Sequence, residues 1–414
     1  MTRPSDPREP FYAAILDDWE SDAPRLALAE WLDRQDDPTG RLRAEMIRLG
    51  VEARSLTAEG KPIPPPLASR LEEVEKAFQM AFRVRKINIF EGRFDRGFVN
   101  DWVVHRGYAG HYLAWPPDAH QDFGPMTDIP FWFEPSPIPG QPSVDYVRLA
   151  ENPALRLWGT LPISADGGYS GQLGDDNFAT LIRSPHLTAL RVVKAFDHDR
   201  MVDCADPTPL GVRSLRALAD NPALAGLTHL TLWWNGFDDE AARALAASAH
   251  LRKLKDLSLA DRFTDVAVSA LAASPVLDSV ESLHLYGPFT GTGLQNLLRS
   301  PHLASLRALD LSGYTSGCHE LDRYHFGEEW NALDAVGFRA LLESPVLSRL
   351  EALCLHAPFE TPEQTWDELA TAVGGMPALK RLDATGRTYL LHQKLPPRRR
   401  KILHDFGRRY KAPR

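Results

Sequence analysis

A short apolar pattern, Leu-x-x-Leu-x-Leu, recurs between residues 187 and 384 of the chain. The clearest copy begins at Leu227, continues through Leu230 and Leu232, and is followed by Asn235, which favours a turn. Further copies begin at Leu187, Leu254, Val280, Leu306, Leu350 and Leu379. Most middle leucines lie about 26 to 29 residues apart, the length of a unit made of one β-strand and one returning helix. The pattern therefore predicts a series of stacked strand–helix units.

The segments between these strands have the composition of helices. After Asn235, the acids at 238–240 suit the first turn of a helix, and Leu245 is predicted to point inward. A residue before proline is pushed out of the α region, so an X-Pro pair is expected to end each helix. Such pairs are Ser184-Pro185, Asn221-Pro222, Ser274-Pro275, Ser300-Pro301 and Ser344-Pro345.

The repeated pattern resembles the leucine-rich repeats of ribonuclease-inhibitor-like proteins. That resemblance implies an α/β solenoid, a horseshoe with parallel strands on its concave face and helices outside. Neither the strand nor the helix of one unit can bury its apolar side alone, so stacked units share one elongated core.

The first fifty residues predict a small helical module. Apolar residues follow three- and four-residue spacing over 11–19 and 23–32, and a turn at 37–40 precedes a third helix. The motifs Asp22-Ala-Pro-Arg-Leu26, Ala29-Glu-Trp31-Leu32 and Asp37-Pro38-x-Gly40 resemble those of the bacterial repeat-companion domain. The resemblance implies a module that stands ahead of repeats and carries no catalytic residues.

Composition divides the chain into five predicted regions. They are a helical module (1–56), a linker with an amphipathic helix (57–93), a strand leading into a divergent Pro/aromatic-rich region (94–186), the leucine-rich repeats (187–394) and a basic C-terminal cap (395–414). The apolar stripe of the amphipathic helix favours a core-facing helix over a partner-binding one. The aromatic residues among the prolines of 108–170 favour a local core, with a recognition surface as the alternative.

Composition and charge exclude several classes of protein. No apolar run approaches the roughly 18 residues of a membrane span, and residues 1–10 lack the apolar part of a signal peptide, so we expect a cytoplasmic protein. The net charge of -8 argues against general nucleic-acid affinity. The cysteines, Cys204, Cys318 and Cys354, have no metal-binding spacing, and we predict neither a cofactor nor a structural metal.

Because side chains alternate along a strand, the residues between the leucines are predicted to line one face of the sheet. The predicted central row contains Arg191, Thr231, Ser258, His284, Asp310, Cys354 and Asp383. One flanking row contains His229, Asp256 and Arg381, and the other contains Trp233, Tyr286 and His356. We predict a non-catalytic, monomeric scaffold that binds another protein through this face. The predicted contact residues are Trp233, Tyr286, His284, His356, Arg191, Arg381 and His229.

Two insertions, near 195–207 and 316–330, follow strands and are expected to emerge at one edge of the solenoid, where partner-specific loops are common. They carry metal-ligand types of side chain at His198, Asp199, Asp203, Cys204, Asp206, Cys318, His319 and His325. Neither loop has a recognised ligand spacing, so solvated charged loops are favoured.

Two alternative functions use other residues. Ser258, His284 and Asp310 fall on consecutive strands and could form a hydrolytic triad, but the chain has no Gly-x-Ser-x-Gly elbow and a flat sheet excludes little water. Residues 396–414 hold eight Lys/Arg against one Asp and could contact nucleic acid. Apolar residues at helical spacing in that tail favour a cap for the last repeat instead.

Overall fold

The computed structural model describes residues 6–83, 92–102, 145–164, 174–196, 210–233, 235–311, 334–355, 368, 371–372 and 378–383. The chain divides into two compact units, Met1–Ser164 with Ser184–Val193, and Ala165–Arg183 with Lys194–Arg414. Helices alternate with parallel strands in the second unit, which confirms the predicted α/β class. Among the residues described, no helix is both long and apolar enough to cross a membrane.

The first unit begins with the predicted helices. They are α1 (Glu9–Asp17), α2 (Ala23–Asp33), α3 (Pro38–Ala58) and α4 (Pro65–Arg83). Proline stands in the first turn of α1, α2 and α3, where its missing N–H costs nothing. Val74 and Phe78 of α4 are buried, as expected for a helix that faces a core.

A β-hairpin belongs to the same core as these helices. Its strands, β1 (Gly92–Asp95) and β2 (Phe98–Trp102), are antiparallel. Phe98 is fully buried among side chains of α1, α2 and α3. Gly97 has a φ of +86°, and a Cβ at this position would overlap Ile47 of α3, so only glycine fits the turn. The predicted boundary at residue 94 thus separates segments that share a core.

Buried arginines hold the hairpin against the helices. Arg96, whose side chain is fully buried, donates to Asp22 Oδ1 at 2.7 Å and to Asp95 Oδ2 at 2.9 Å. The guanidinium of Arg25 lies 4.4 Å from the centre of the Trp19 ring, while its Nε and Nη2 are buried without a hydrogen-bond partner. Burial lowers the pKa of Arg25 to about 10.

Part of the region expected to be irregular has the hydrogen-bond pattern of a repeat. It contains α5 (Tyr146–Ala150), a 3₁₀ turn (Pro153–Leu157) and β3 (Thr160–Ser164). The amides of Arg191 and Val192 both donate to the carbonyl oxygen of Gly159, as those of Lys255 and Asp256 both donate to Thr228. The pair Asn152-Pro153 matches Asn221-Pro222, and this signal could have revealed the unit from the sequence.

The second unit contains the repeats. Its helices are α6 (Gly174–Ile182), α7 (Val212–Asp220), α8 (Asp239–Ala246), α9 (Asp265–Ala272), α10 (Gly291–Leu298) and α11 (Ala335–Glu343). Its strands after β4 (Val192–Phe196) are β5 (His229–Trp233), β6 (Asp256–Ala260), β7 (Ser282–Tyr286), β8 (Ala308–Leu311), β9 (Ala352–Leu355) and β10 (Arg381–Asp383). Strands β5 to β10 pair in parallel in chain order, and each of these helices contacts the next. Leu230, Leu257 and Leu283 are paired across neighbouring strands, as the apolar pattern predicts.

The copy predicted to begin at Leu187 is wrong by three residues. The amide of Val192 forms the hydrogen bond that Asp256 forms in its own unit, so Leu190 is equivalent to Leu254. Arg191 therefore lies before the strand and is not part of the central row. Leu187 closes a 3₁₀ turn, in which the amide of Leu190 donates to its carbonyl oxygen at 3.2 Å. A leucine also stands in this turn in other units, so Leu-x-x-Leu occurs twice per unit and the earlier copy was chosen.

Short polar side chains connect successive units. At the ends of the helices, Ser248, Ser274 and Ser300 each donate through Oγ to a carbonyl oxygen of the preceding helix, at 2.6, 2.5 and 2.5 Å. At the beginnings, Asp239 accepts from Thr264 and Asp265 accepts from Thr290, each through both the amide and the hydroxyl. The helix-start acids thus bond the next unit in addition to favouring their own helix.

Candidate binding face of the parallel sheet

The strand registers place the predicted rows on one face of β5 to β10, hereafter the polar face. The central row contains Thr231, Ser258, His284, Asp310, Cys354 and Asp383. The flanking row contains His229, Asp256, Ser282, Ala308, Ala352 and Arg381. The alternating leucines of β5 to β9 are buried. The residue alternation seen in the sequence therefore predicts these rows correctly from β5 onward.

A tryptophan is held in a fixed orientation on this face. Trp233, at the end of β5, is half-buried, and its Nε1 donates to Ser258 Oγ on β6 at 2.7 Å. Its ring centre lies 5.8 Å from that of His284 on β7, with an angle of 46° between the ring planes. Ser258 is only 5% exposed, so the hydroxyl that orients the indole is itself well fixed.

His284 has an unsatisfied ring nitrogen beside this tryptophan. Its side chain is 13% exposed, and its Nε2 is buried with no hydrogen-bond partner among the residues described. Its Nδ1 lies 3.9 Å from Asp310 Oδ2, which is too long for a hydrogen bond. Burial lowers the pKa of His284, against the opposing effect of the carboxylates of Asp310 and Asp256. The imidazole is therefore neutral at pH 7.

The positions of Ser258, His284 and Asp310 can be compared with the geometry that a hydrolytic triad requires. A triad requires the base to hydrogen-bond the nucleophilic hydroxyl while an acid orients the base. Ser258 Oγ accepts from Trp233, His284 Nε2 has no partner, and the His284–Asp310 distance exceeds hydrogen-bond range. The residues are adjacent, but the bonds that would activate Ser258 are not formed.

The other predicted contact residues differ in exposure and in their place in the chain. Tyr286 is only 7% exposed, which leaves little of its ring for a partner. His229 is exposed, with Nδ1 2.8 Å from Thr228 Oγ1. Arg191 lies in the first unit, where its Nη2 is 2.6 Å from Asp17 Oδ1. The register places Arg381 beside Ala352, whereas His356 lies outside the described residues.

The chain directly after Tyr286 passes close to a neighbouring turn. The next residue is Gly287, where a Cβ would come within 2.7 Å of the carbonyl oxygen of Asp261. The chain leaving β7 therefore passes very close to the turn after β6, and the amide of Asp261 donates to the carbonyl oxygen of Tyr286 at 3.0 Å. The glycine that directly follows Tyr286 was the available signal.

Within the described ranges, no group of three or more His, Cys, Asp or Glu side chains is arranged to hold a metal ion. The metal-ligand types of side chain in the two insertions, and the basic tail, lie outside those ranges. Their predicted roles are therefore still predictions.

Comparison with protein-family models and with curated proteins gives no indication of function. No family model matches the chain, and no curated protein matches it. Function is therefore inferred from the geometry of the repeats and from the side chains that they present.

Proposed function

We propose that the chain is a leucine-rich-repeat scaffold that binds another protein through its polar face and catalyses no reaction. Parallel strands that pair in chain order, with helices that contact their successors, support a solenoid in which each unit contacts its neighbours. The helices and hairpin of the first unit are proposed to be the companion module that its motifs resemble.

The fixed orientation of Trp233 is the observation that carries this proposal. An aromatic side chain that is already immobilised loses little conformational entropy when a partner covers it. Trp233 combines a half-buried ring with an Nε1 bonded to Ser258 Oγ at 2.7 Å. Tryptophan is also among the residues that most often dominate the energy of protein interfaces.

The surroundings of Trp233 suit a polar partner surface. The central row contains the half-buried polar side chains of Thr231, His284 and Asp310, and the flanking row has the small side chains of Ala308 and Ala352. His284, whose side chain is 13% exposed, has its ring centre 5.8 Å from that of Trp233, so a partner that covers Trp233 also lies over His284. The expected contact therefore centres on Trp233 and His284, with His229 at its margin.

The proposal is tested by affinity capture with the tagged full-length chain and identification of stoichiometric partners. Trp233→Ala should weaken binding of the captured partner by more than about 2 kcal/mol, as expected for a central aromatic contact. Val336→Ala is a suitable control, because Val336 is an exposed apolar residue of α11. Binding that is equal in Trp233→Ala and the parent, with both chains folded, would place the interface elsewhere.

A further inference from the structure

The charged side chains in the middle of the polar face are carboxylates. Register and alternation bring Asp256 and Asp310 onto this face, and no Lys or Arg of β5 to β9 joins them there. The next strand, β10, adds one charge of each sign, at Arg381 and Asp383. Lys194 of β4 is three strands away from β7, which is roughly 14 Å at the usual strand spacing. The middle of the face is therefore acidic.

The charged residues just before the strands do not offset this acidity, because most of them pair with one another. Lys255 Nζ lies 3.7 Å from Glu281 Oε1, and Lys380 Nζ lies 2.6 Å from Glu351 Oε2. Arg307 stands between the two glutamates in this row, so the signs alternate from unit to unit. Alternating charges at close range largely cancel in their effect on more distant groups.

The two carboxylates and one indole surround His284. Asp310 Oδ2 lies 3.9 Å from His284 Nδ1, and the ring centre of Trp233 lies 5.8 Å from that of His284. The register pairs His284 with Ser258, and Asp256 stands two positions from Ser258 on β6, so Asp256 is a diagonal neighbour of the imidazole. Burial lowers the pKa of His284, and both carboxylates oppose that shift, as expected of charges nearby. The neutral imidazole thus lies between two anions and an aromatic ring.

The groups around His284 are accessible to a ligand. The side chain of Asp310 is 30% exposed, and Trp233 and Asp256 are half-buried. The carboxylate of Asp256 forms neither an ion pair nor a hydrogen bond with a described residue. A ligand above His284 can therefore contact the indole and both carboxylates from the solvent side of the sheet.

We propose that the partner of the polar face inserts an arginine side chain above His284, with its guanidinium against the indole of Trp233 and its donors directed at Asp310 and Asp256. This inference rests on the proposed function and specifies the chemistry of the partner. A planar guanidinium stacks on an aromatic ring and presents donors in pairs to carboxylates. A lysine ammonium has no planar face and is more strongly hydrated, so it suits this site less well.

The test uses the full-length chain with isotope-labelled tryptophan and follows the indole N–H resonance of Trp233 by NMR. Trp233→Phe assigns this resonance by its absence. The probes are N-acetyl-Gly-Arg-Gly-amide and its citrulline counterpart, which keeps the shape of arginine without its charge. The arginine peptide should bind at least about tenfold more tightly, because one charge-assisted hydrogen bond is worth about that factor. Equal affinities, or no shift with the arginine peptide at tens of millimolar, would overturn the proposal.

A third peptide and two variants sharpen the assignment. The lysine counterpart should bind more weakly than the arginine peptide, and equal binding would overturn the choice of arginine. Asp310→Asn should weaken the arginine peptide about tenfold and leave the citrulline peptide unchanged. The matched control is Glu281→Gln, which removes the same charge from a residue that already pairs with Lys255, and it should leave both affinities unchanged. Equal weakening by the two variants would show an effect of overall charge and overturn the site.

The captured partner separates this inference from the proposed function. A partner that is weakened by Trp233→Ala should also be weakened by Asp310→Asn. If it depended on Trp233 but tolerated both Asp310→Asn and Asp256→Asn, the polar face would still be the binding site and the arginine contact would be overturned. Selective binding of the arginine peptide without capture of any protein would support the arginine site and contradict the proposed function.

Discussion

The helical module of the first unit and the repeats of the second keep polar groups inside the protein in different ways. The module buries whole guanidiniums. Those of Arg25 and Arg43 lie 5.8 and 4.8 Å from the ring centre of Phe98, and Arg96 bonds Asp22 at 2.7 Å although 74 positions separate them. The repeats bury leucines and alanines, and bond their neighbours with short Ser, Thr and Asp side chains.

This difference determines how stability is distributed. The bond between Arg96 and Asp22 joins segments 74 positions apart, so the loss of Asp22 would remove a partner of a buried charge. The bonds of the repeats recur at successive junctions, and stability is approximately a sum over neighbouring units. A single substitution should therefore lower the free energy of unfolding more in the module than in the repeats.

The largest effect is expected from Phe98→Leu in the module. Leucine retains much of the apolar volume but removes the ring that faces Arg25 and Arg43. Because both guanidiniums are desolvated, we expect a loss of about 3 kcal/mol in the free energy of unfolding, measured by urea denaturation.

The matched control is Phe263→Leu. Phe263 is also buried, but it lies in the repeats, where its ring contacts no guanidinium of a described residue. Its loss should be about 1 kcal/mol, since only packing changes. Equal losses for the two substitutions would contradict the idea that cation–ring contacts stabilise the module.

An intermediate effect is expected within the repeats from Ser274→Ala. Ser274 Oγ donates to Ala246 at 2.5 Å in a buried setting, and it also accepts from the amide of Val276. Its removal should cost about 1 to 2 kcal/mol. Ser344→Ala should cost less than about 1 kcal/mol, because its bond to Leu298 measures 3.3 Å. Thermal melting of both variants checks the order, and the reverse order would contradict the idea that the shorter bond stabilises its junction more.

The same contrast explains how much of the fold the sequence could predict. Apolar periodicity and helix-ending prolines are local signals, and they predicted β5 to β10 with the correct rows. The misplaced copy at Leu187 arose from a second leucine in each unit, which periodicity alone cannot distinguish. The pairing of Arg96 with Asp22 depends on how the hairpin meets α2, and no spacing in the sequence encodes that contact.

For the candidate site, the sequence predicted the row of each described residue from β5 onward but not its exposure. Alternation along a strand places Trp233 and Tyr286 in the same row, but it cannot show that one is half-buried and the other only 7% exposed. Sequence periodicity predicts the features that the units share. It does not predict the features in which one unit differs from the others.

The smallest effect concerns His284, a largely buried titratable side chain of the repeats. Burial lowers the pKa of His284 in the folded protein, so the unfolded chain, with a pKa near 6.5, binds the proton first as the pH falls. The neutral imidazole therefore stabilises the fold fully above about pH 6.5, and this contribution is lost as the pH falls from there toward the folded-state pKa. His284→Gln should flatten the decrease in melting temperature between pH 8 and pH 5, because the other histidines are common to both proteins. In Asp310→Asn the carboxylate that opposes the shift is absent, so the loss should extend to lower pH than in the parent. If the melting temperatures of parent and His284→Gln changed in parallel across this range, His284 would not be the group that titrates.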